Sequence, residues 1–180
     1  MHYLYFVKVG REEAKTSREA INRAESILNN NGFVSSEGHW GGGKCDWFIM
    51  GGRWSGTLSG LAVKGNFFEA VHKLLASKSN AAAERRYLLD AEIKEYAEDI
   101  KKLWLDMGGT NLNPYARNSY NADGLDDDAA ILTADNIAAL KAKHPDDVEY
   151  YDSDAHEEKP LSSLSPEDIG DWLVVVDYHV

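Results

Sequence analysis

The segment Asp46-Trp47-Phe48-Ile49-Met50-Gly51-Gly52-Arg53-Trp54-Ser55-Gly56 concentrates the residue types best suited to holding a small anion. A planar guanidinium at Arg53 matches the oxygens of a phosphate or a carboxylate. The indole faces of Trp47 and Trp54 suit a base or another ring. Gly51 and Gly52 allow main-chain N–H groups to approach an anion closely. Nothing in this set proposes a reaction, so the chemistry it implies is binding. The competing reading is structural, because a tryptophan covering a cross-strand glycine also supports a sheet. Whether Trp47 and Trp54 line a pocket or a core stays open at this level.

A second pair lies near the C-terminal end. Trp172 to His179 reads as a strand, so Asp177 and His179, two residues apart, project from one face. Such a pair offers two metal ligands, or a histidine oriented by a carboxylate. It is the basis of an alternative reading as a metal-assisted hydrolase. The structural reading is a hydrogen-bonded pair at a sheet end. The remaining histidines, His2, His39, His72, His144 and His156, show no ligand spacing such as H-E-x-x-H. No serine or cysteine carries a nucleophile signature.

Two other motifs are incomplete. Gly38 to Cys45 comes within one residue of the phosphate-loop pattern, but Cys45 stands where a hydroxyl would hold Mg²⁺. The residues after it read as a strand, so the helix N-terminus that supplies aligned donors is missing. Asn121 to Asp128 hints at a calcium loop. With Gly124 at the turn, Ser119 and Ala130 fall where a leading Asp and a closing Glu are needed.

The elements that must position these residues follow from periodicity. Tyr3 to Val9 is aromatic and β-branched, a strand ending at Gly10. Thr16 and Glu19 have capping-box spacing, and Ala20, Ile21, Ala24, Ile27 and Leu28 form one helical face. Gly32 suits the left-handed position that closes this helix. Phe33-Val34 begins a short strand. Lys44 to Val63 reads as a hairpin turning at Gly51-Gly52, since a type I′ turn needs positive φ at both central residues. That pairing would set Trp54 opposite Ile49 and Trp47 opposite Gly56.

Two helices follow, over about Asn66 to Ser77 and about Ala81 to Met107. In the second, Leu89, Ile93, Tyr96, Ile100, Leu103 and Met107 alternate four- and three-residue steps, the pattern of a helix seam. Packing within the chain and an oligomer through residues 81–107 both account for it. Residues 110–128 read as a long loop. Ala129 to Leu132 is a short apolar run, and Thr133 caps a helix to about Lys143. Pro145 to Ser163 reads as extended or partly disordered, and Ser165-Pro166 as a brief helical start. Strands at both ends with helices between predict one α+β domain over residues 1–180. We expect a mostly antiparallel sheet in which the terminal strands pair, with helices packed on one face.

Composition sets the outer bounds. A 180-residue chain with 43% apolar content is large enough for an ordinary core. One cysteine, Cys45, allows no internal disulfide and fits a reducing, cytoplasmic setting. No apolar run suggests a signal peptide or a membrane span. Residues 121–180 carry 16 Asp/Glu against 3 Lys/Arg, within a formal net charge of −11. That balance repels nucleic-acid backbones and disfavours direct nucleic-acid binding. It equally describes a solvated surface, a docking face for a basic protein partner, or an imitation of DNA charge.

Asp46-Trp47-Phe48, Gly51-Gly52-Arg53-Trp54-Ser55-Gly56 and the ending Val176-Asp177-Tyr178-His179 together resemble a family of small uncharacterised bacteriophage and bacterial proteins. Its members share an aromatic-rich G-G-R-W-[ST]-G core and a C-terminal V-D-x-H strand. The resemblance covers about twenty residues and implies no established activity. It does imply that Arg53, Trp54, Asp177 and His179 belong to one site. The leading expectation is therefore non-catalytic binding of a phosphorylated or nucleotide-like small molecule by Trp47, Gly51, Gly52, Arg53, Trp54, Asp177 and His179. No cofactor is implied. A phage-encoded sequestering protein would fit, with the hydrolase and the acidic interaction or DNA-mimic protein as alternatives.

Overall fold

A computed structural model describes residues 1–35, 43–58, 61, 67–85, 89–107, 128–144 and 148–180. The glycine loop at 36–42, most of the expected second hairpin arm beyond Leu58, and the calcium-like loop at 121–127 lie outside the described residues.

Six strands form one mixed sheet: β1 (His2–Val9), β2 (Trp47–Met50), β3 (Ala129–Ile131), β4 (Glu149–Asp152), β5 (Glu157–Pro160) and β6 (Trp172–His179). The order is β2-β6-β1-β4-β5, with β3 also on β6. Every pairing is antiparallel except β1 with β4. The terminal strands pair along their whole length, His2 opposite His179 and Val9 opposite Trp172. The chain is an α+β protein with a mostly antiparallel sheet, as its ends suggested.

Helices sit on both faces, which corrects the expectation of one. In β6, Trp172, Val174 and Val176 face a core with Tyr5, Val7 and the buried stripe of α1 (Ser17–Asn30). Leu173 and Val175 face the opposite way, into a core with Phe6, Tyr150 and the buried residues of α6 (Ala134–Lys143). The reason is visible in the run Leu173-Val174-Val175-Val176. All four are fully buried, and an unbroken apolar strand needs cover on each side. Each fully buried aliphatic side chain contributes about 1.5–3 kcal/mol, so neither face could be left to water.

Local signals at the helix ends hold. The Thr16 hydroxyl accepts from Glu19 N–H at 3.2 Å, while the Glu19 carboxylate accepts from Lys15 N–H. Gly32 has φ +66°. Thr133 accepts from Asn136 N–H at 3.1 Å at the start of α6.

The middle of the chain departs from expectation. The long helix over 81–107 is three pieces, α3 (Asn80–Ala83), α4 (Asp90–Glu95) and α5 (Ala97–Asp106). α4 and α5 meet at Tyr96, whose φ of −107° and ψ of 21° leave the helical region. A seam of four- and three-residue steps survives such a kink when the buried face is kept, so periodicity could not see it. The seam turns inward from Ile93 onward, leaving Leu89 exposed: Ile93 and Ile100 are buried with Trp104 against Val71 and Leu75 of α2 (Phe67–Lys78). Downstream, some of the stretch expected to be extended or disordered is a hairpin, β4 and β5, turning at His156 with φ +55°.

β2 and β3 lie end to end on one edge of β6. Met50 is opposite Val176, Gly51 N–H donates to the Val175 carbonyl at 2.8 Å, and Ala129 is opposite Val174. They behave as one edge strand, interrupted by everything from Gly51 to Asp128. The interruption contains α2 to α5 and their separate apolar core.

At the other end of β1, Lys8 is 5% exposed on the α6 face. Its Nζ lies 2.6 Å from Asp168, 3.1 Å from Asp152 and 3.8 Å from Asp171. Burial opposes the Lys8 charge, but hydrogen bonds to Asp168 and Asp152 outweigh it and hold the ammonium above its usual range. Burial likewise opposes both carboxylates. Asp152 is still held low by Lys159 and Lys8, and Asp168 by Lys8 and Ser165 N–H.

The carboxylates therefore stabilise the fold above about pH 4, and that contribution is lost as pH falls through their depressed values. The Lys8 contribution is complete below about pH 10.4 and is lost as pH rises through its raised value. Removing the cation leaves the buried Asp168 without its ion pair, while Asp152 keeps Lys159 and Asp171 keeps Arg11. Lys8→Ala is expected to cost about 3–5 kcal/mol in urea unfolding at neutral pH. The deficit should shrink below about pH 4, where the carboxylates protonate.

Candidate functional site

The expected turn at Gly51-Gly52 is not a hairpin. Gly51 has φ +73° and ψ −72°, and the chain passes into a 3-10 turn over Gly52–Trp54. Trp47 therefore pairs with His179 and Ile49 with Asp177, not with the arm after the glycines. Edge pairing on β6 is the stronger claim on this strand, since β6 offers a continuous ladder and the described residues 52–58 form no strand.

Two buried carboxylates hold the turn. Asp177, 1% exposed, accepts from Arg53 N–H at 2.9 Å through Oδ2. Asp128, also 1% exposed, accepts from the Ser55 hydroxyl at 2.6 and 2.7 Å and from Gly56 N–H at 3.2 Å. The glycines are needed for these approaches. A Cβ on Gly51 would stand 2.0 Å from Asp128 Oδ2, and one on Gly52 would stand 2.6 Å from Asp177 Cβ. Both positions also have positive φ, which L side chains adopt only at a cost. The motif Gly-Gly-Arg-Trp-Ser-Gly is thus largely a backbone fitted to two acids.

Asp177 has a partner that sequence reasoning passed over. Its Oδ1 lies 2.9 Å from His2 Nδ1, and because an ionised carboxylate only accepts, that nitrogen carries the proton. Asp177 thus orients His2 on the neighbouring strand rather than His179 on its own. The signal existed in the terminal strands: pairing them end to end sets His2 opposite His179.

His179 stacks on Trp47 with ring planes 4° apart and centroids 5.3 Å apart. His2 meets both rings edge-on, at 5.3 Å from Trp47 and 5.2 Å from His179. His179 Nδ1 lies 3.5 Å from Asp46 Oδ2 and is buried without a hydrogen bond. Its Nε2 is 3.3 Å from the Met1 nitrogen.

Six of the seven sequence candidates therefore meet at one end of one sheet face. The backbone of Gly51, Gly52 and Arg53 and the side chains of Trp47, Asp177 and His179 adjoin one another. Arg53 is exposed, whereas Trp54 is partly buried against the core around Phe6 and Leu58. Trp54 Nε1 is buried with no hydrogen-bond partner. Trp47 lies against the His2 and His179 rings, whereas Trp54 leans on the core beside them. His2, Asp46, Ser55 and Asp128 complete the arrangement and were not singled out by spacing.

Among the described residues, no group of three or more His, Cys, Asp or Glu is arranged to hold a metal. Both Asp177 oxygens are engaged, by His2 and by the Arg53 N–H. Lys44 and Cys45 run directly into β2, so no helix follows the lysine of the phosphate-loop-like stretch. Two open concavities lie elsewhere. One of about 280 Å³ is lined by Phe33, Lys44, Tyr151 and Glu158. The other, about 390 Å³, is lined by Lys8, Arg11, Glu13, Glu167 and Asp171. Among the described residues, no helix is long and apolar enough to cross a membrane. No protein-family model, curated protein or solved structure matches the chain.

Gly52→Ala should destabilise the protein well beyond Gly32→Ala, by denaturant unfolding. Gly32 has positive φ but open space around it, so only the left-handed penalty of about 1–2 kcal/mol applies there. A difference of zero would mean that the Asp177 approach does not constrain the turn. Burial, with a smaller push from Asp46, raises the Cys45 thiol to about 11. Native protein near pH 8 should therefore react with a thiol reagent far more slowly than unfolded protein.

Proposed function

We propose that the chain binds a phosphorylated or nucleotide-like small molecule at the end of the sheet where Arg53, Trp47, His2 and His179 converge. The observation that carries this reading is the tether of Arg53. Its main-chain N–H is fixed on Asp177, which also fixes His2, so an exposed guanidinium starts from a rigid point beside two imidazoles and an indole. Rigid presentation limits the ordering cost of binding. A guanidinium favours phosphate oxygens, and the Trp47 and His179 rings favour a flat ring system.

A binding role, rather than turnover, fits the chemistry of the cluster. It has an anion-seeking cation and stacking rings, while its central carboxylate is occupied internally. A small phage protein that sequesters such a molecule is the biological setting we favour, on the resemblance of its Gly51–Gly56 and Val176–His179 segments to phage proteins.

The test is binding of pyrophosphate, AMP and ATP by calorimetry, together with native mass spectrometry of the purified protein. Arg53→Ala should weaken binding by about tenfold or more, the value of one charge-assisted hydrogen bond. Arg53→Lys should recover some of it. Unchanged affinity for all three in Arg53→Ala would overturn the assignment.

A further inference from the structure

Asn31-Gly32 is the one Asn-Gly step in the sequence, and it closes α1. An asparagine is open to attack by the main-chain nitrogen of the next residue, because that attack on Cγ closes a five-membered ring. A side chain on the next residue obstructs the approach, and a hydrogen bond from its N–H ties the nitrogen up. Glycine removes the first obstacle, having no Cβ.

The structure removes the second. Asn31 N–H donates to the Ile27 carbonyl at 3.0 Å, and Phe33 N–H to the Leu28 carbonyl at 3.3 Å. Between them, Gly32 N–H and the Asn31 side chain have no hydrogen-bond partner among the described residues. Both residues are exposed and line the open concavity of about 280 Å³, so water reaches them. Asn31 has ψ 13°, which must turn to bring Cγ over the Gly32 nitrogen. Nothing lies within 4 Å of where a Gly32 Cβ would stand, and helix ends open at little free-energy cost. Asn136 shows the opposite case. The amide that follows it, Ile137 N–H, donates to the Thr133 carbonyl at 3.0 Å, and its side chain branches at Cβ. Asn30 is likewise followed by the bonded Asn31 N–H.

We propose that Asn31 is a site of spontaneous covalent modification, converted to aspartate or isoaspartate without an enzyme. Base takes the Gly32 N–H proton, and the nitrogen attacks Asn31 Cγ. A Cγ–N bond forms, the Cγ–Nδ2 bond breaks, and Nδ2 takes a proton from water and leaves as ammonia. Water then opens the resulting succinimide. Attack at Cγ restores the main chain and leaves aspartate. Attack at the Asn31 carbonyl carbon routes the main chain through the side chain, as isoaspartate.

The isoaspartyl product lengthens the main chain by one carbon directly before Phe33. That residue is fixed in place. Its ring is buried against Tyr5 with centroids 5.0 Å apart, and its carbonyl accepts from Cys45 N–H at 3.1 Å. Lengthening the chain there loosens the join between α1 and the sheet. Either product also sets a carboxylate at the negative end of the α1 dipole, where the last turn holds no basic residue.

The test is peptide-resolved mass spectrometry of native protein aged at mildly alkaline pH, with a urea-denatured sample as reference. Asn31 should convert in both samples, faster as pH rises, while Asn30 and Asn136 stay intact in the native one. Asn31→Gln should hold the position unchanged over the same period, because its longer side chain must close a six-membered ring. That variant keeps Gly32, so the left-handed turn is not strained. Aged wild-type protein should unfold at lower urea than fresh protein, a loss absent from aged Asn31→Gln.

Asn31 still intact in the native sample once the denatured sample has converted would overturn the proposal, since the fold would then protect the step. Conversion of Asn136 as fast as Asn31 would overturn its structural basis. A urea midpoint unchanged by complete conversion would overturn the loosening at Phe33 and leave the modification standing.

Discussion

The Asp177 carboxylate joins three segments of the chain that are far apart in sequence. Through one oxygen it holds His2 on the first strand, and through the other it holds the backbone of Arg53. It does so from β6, the strand that pairs with β1 on one side and with both β2 and β3 on the other. A buried carboxylate without partners would destabilise the fold by several kcal/mol, so its two contacts are conditions of folding as well as features of a site. Asp128 does the same for the residues that follow, receiving Ser55 and Gly56. The glycine turn is shaped between these two acids, and the exposed Arg53 side chain is what the turn presents.

The α6 face of the sheet is polar at both ends and apolar in the middle. Phe6, Tyr150, Leu173 and Val175 form its dry centre. Lys8 and its aspartates close one end, and His2, Asp177 and His179 the other. The two ends differ in composition and exposure. At the Lys8 end, one ammonium lies within 4 Å of three carboxylates, of which Asp152 is also met by Lys159 and Asp171 by Arg11. At the His179 end, a partly exposed ring has one buried nitrogen without a hydrogen bond, and the neighbouring arginine is exposed.

Much of this was legible in the sequence where a local rule governs. Thr16 and Thr133 act at helix starts through bonds that reach only three residues, and Gly32 acts at a helix end through its own positive φ. The terminal strands declared themselves by β-branched and aromatic runs. What failed was partner choice. Gly51-Gly52 satisfies the φ requirement of a hairpin turn, yet Trp47–Met50 pairs with a strand more than a hundred residues away. Non-local pairing leaves no trace in spacing. Tyr96 interrupts a helix while keeping the buried face of its neighbours, so the periodic signal passed through the break. The partners of Asp128 and His2 were invisible for a related reason: each residue matters for the distant backbone or side chain it meets. The grouping of Arg53 with Asp177 was recoverable only because both lie in short, unusual motifs.

The interrupted edge strand has a consequence for how the chain folds. The central ladder joins the first residues to the last, and its outer edge is completed only when Ala129 arrives beside the position Met50 has reached. Closing a flexible loop over the intervening stretch costs on the order of 4 kcal/mol in chain entropy. Contacts of such long sequence separation slow folding. The segment between carries its own helices and apolar core, so ordering it first draws its two ends together before β3 docks. Early collapse of α2 to α5 would then act as a kinetic shortcut, lowering the search needed to finish a sheet to which those helices contribute no strand.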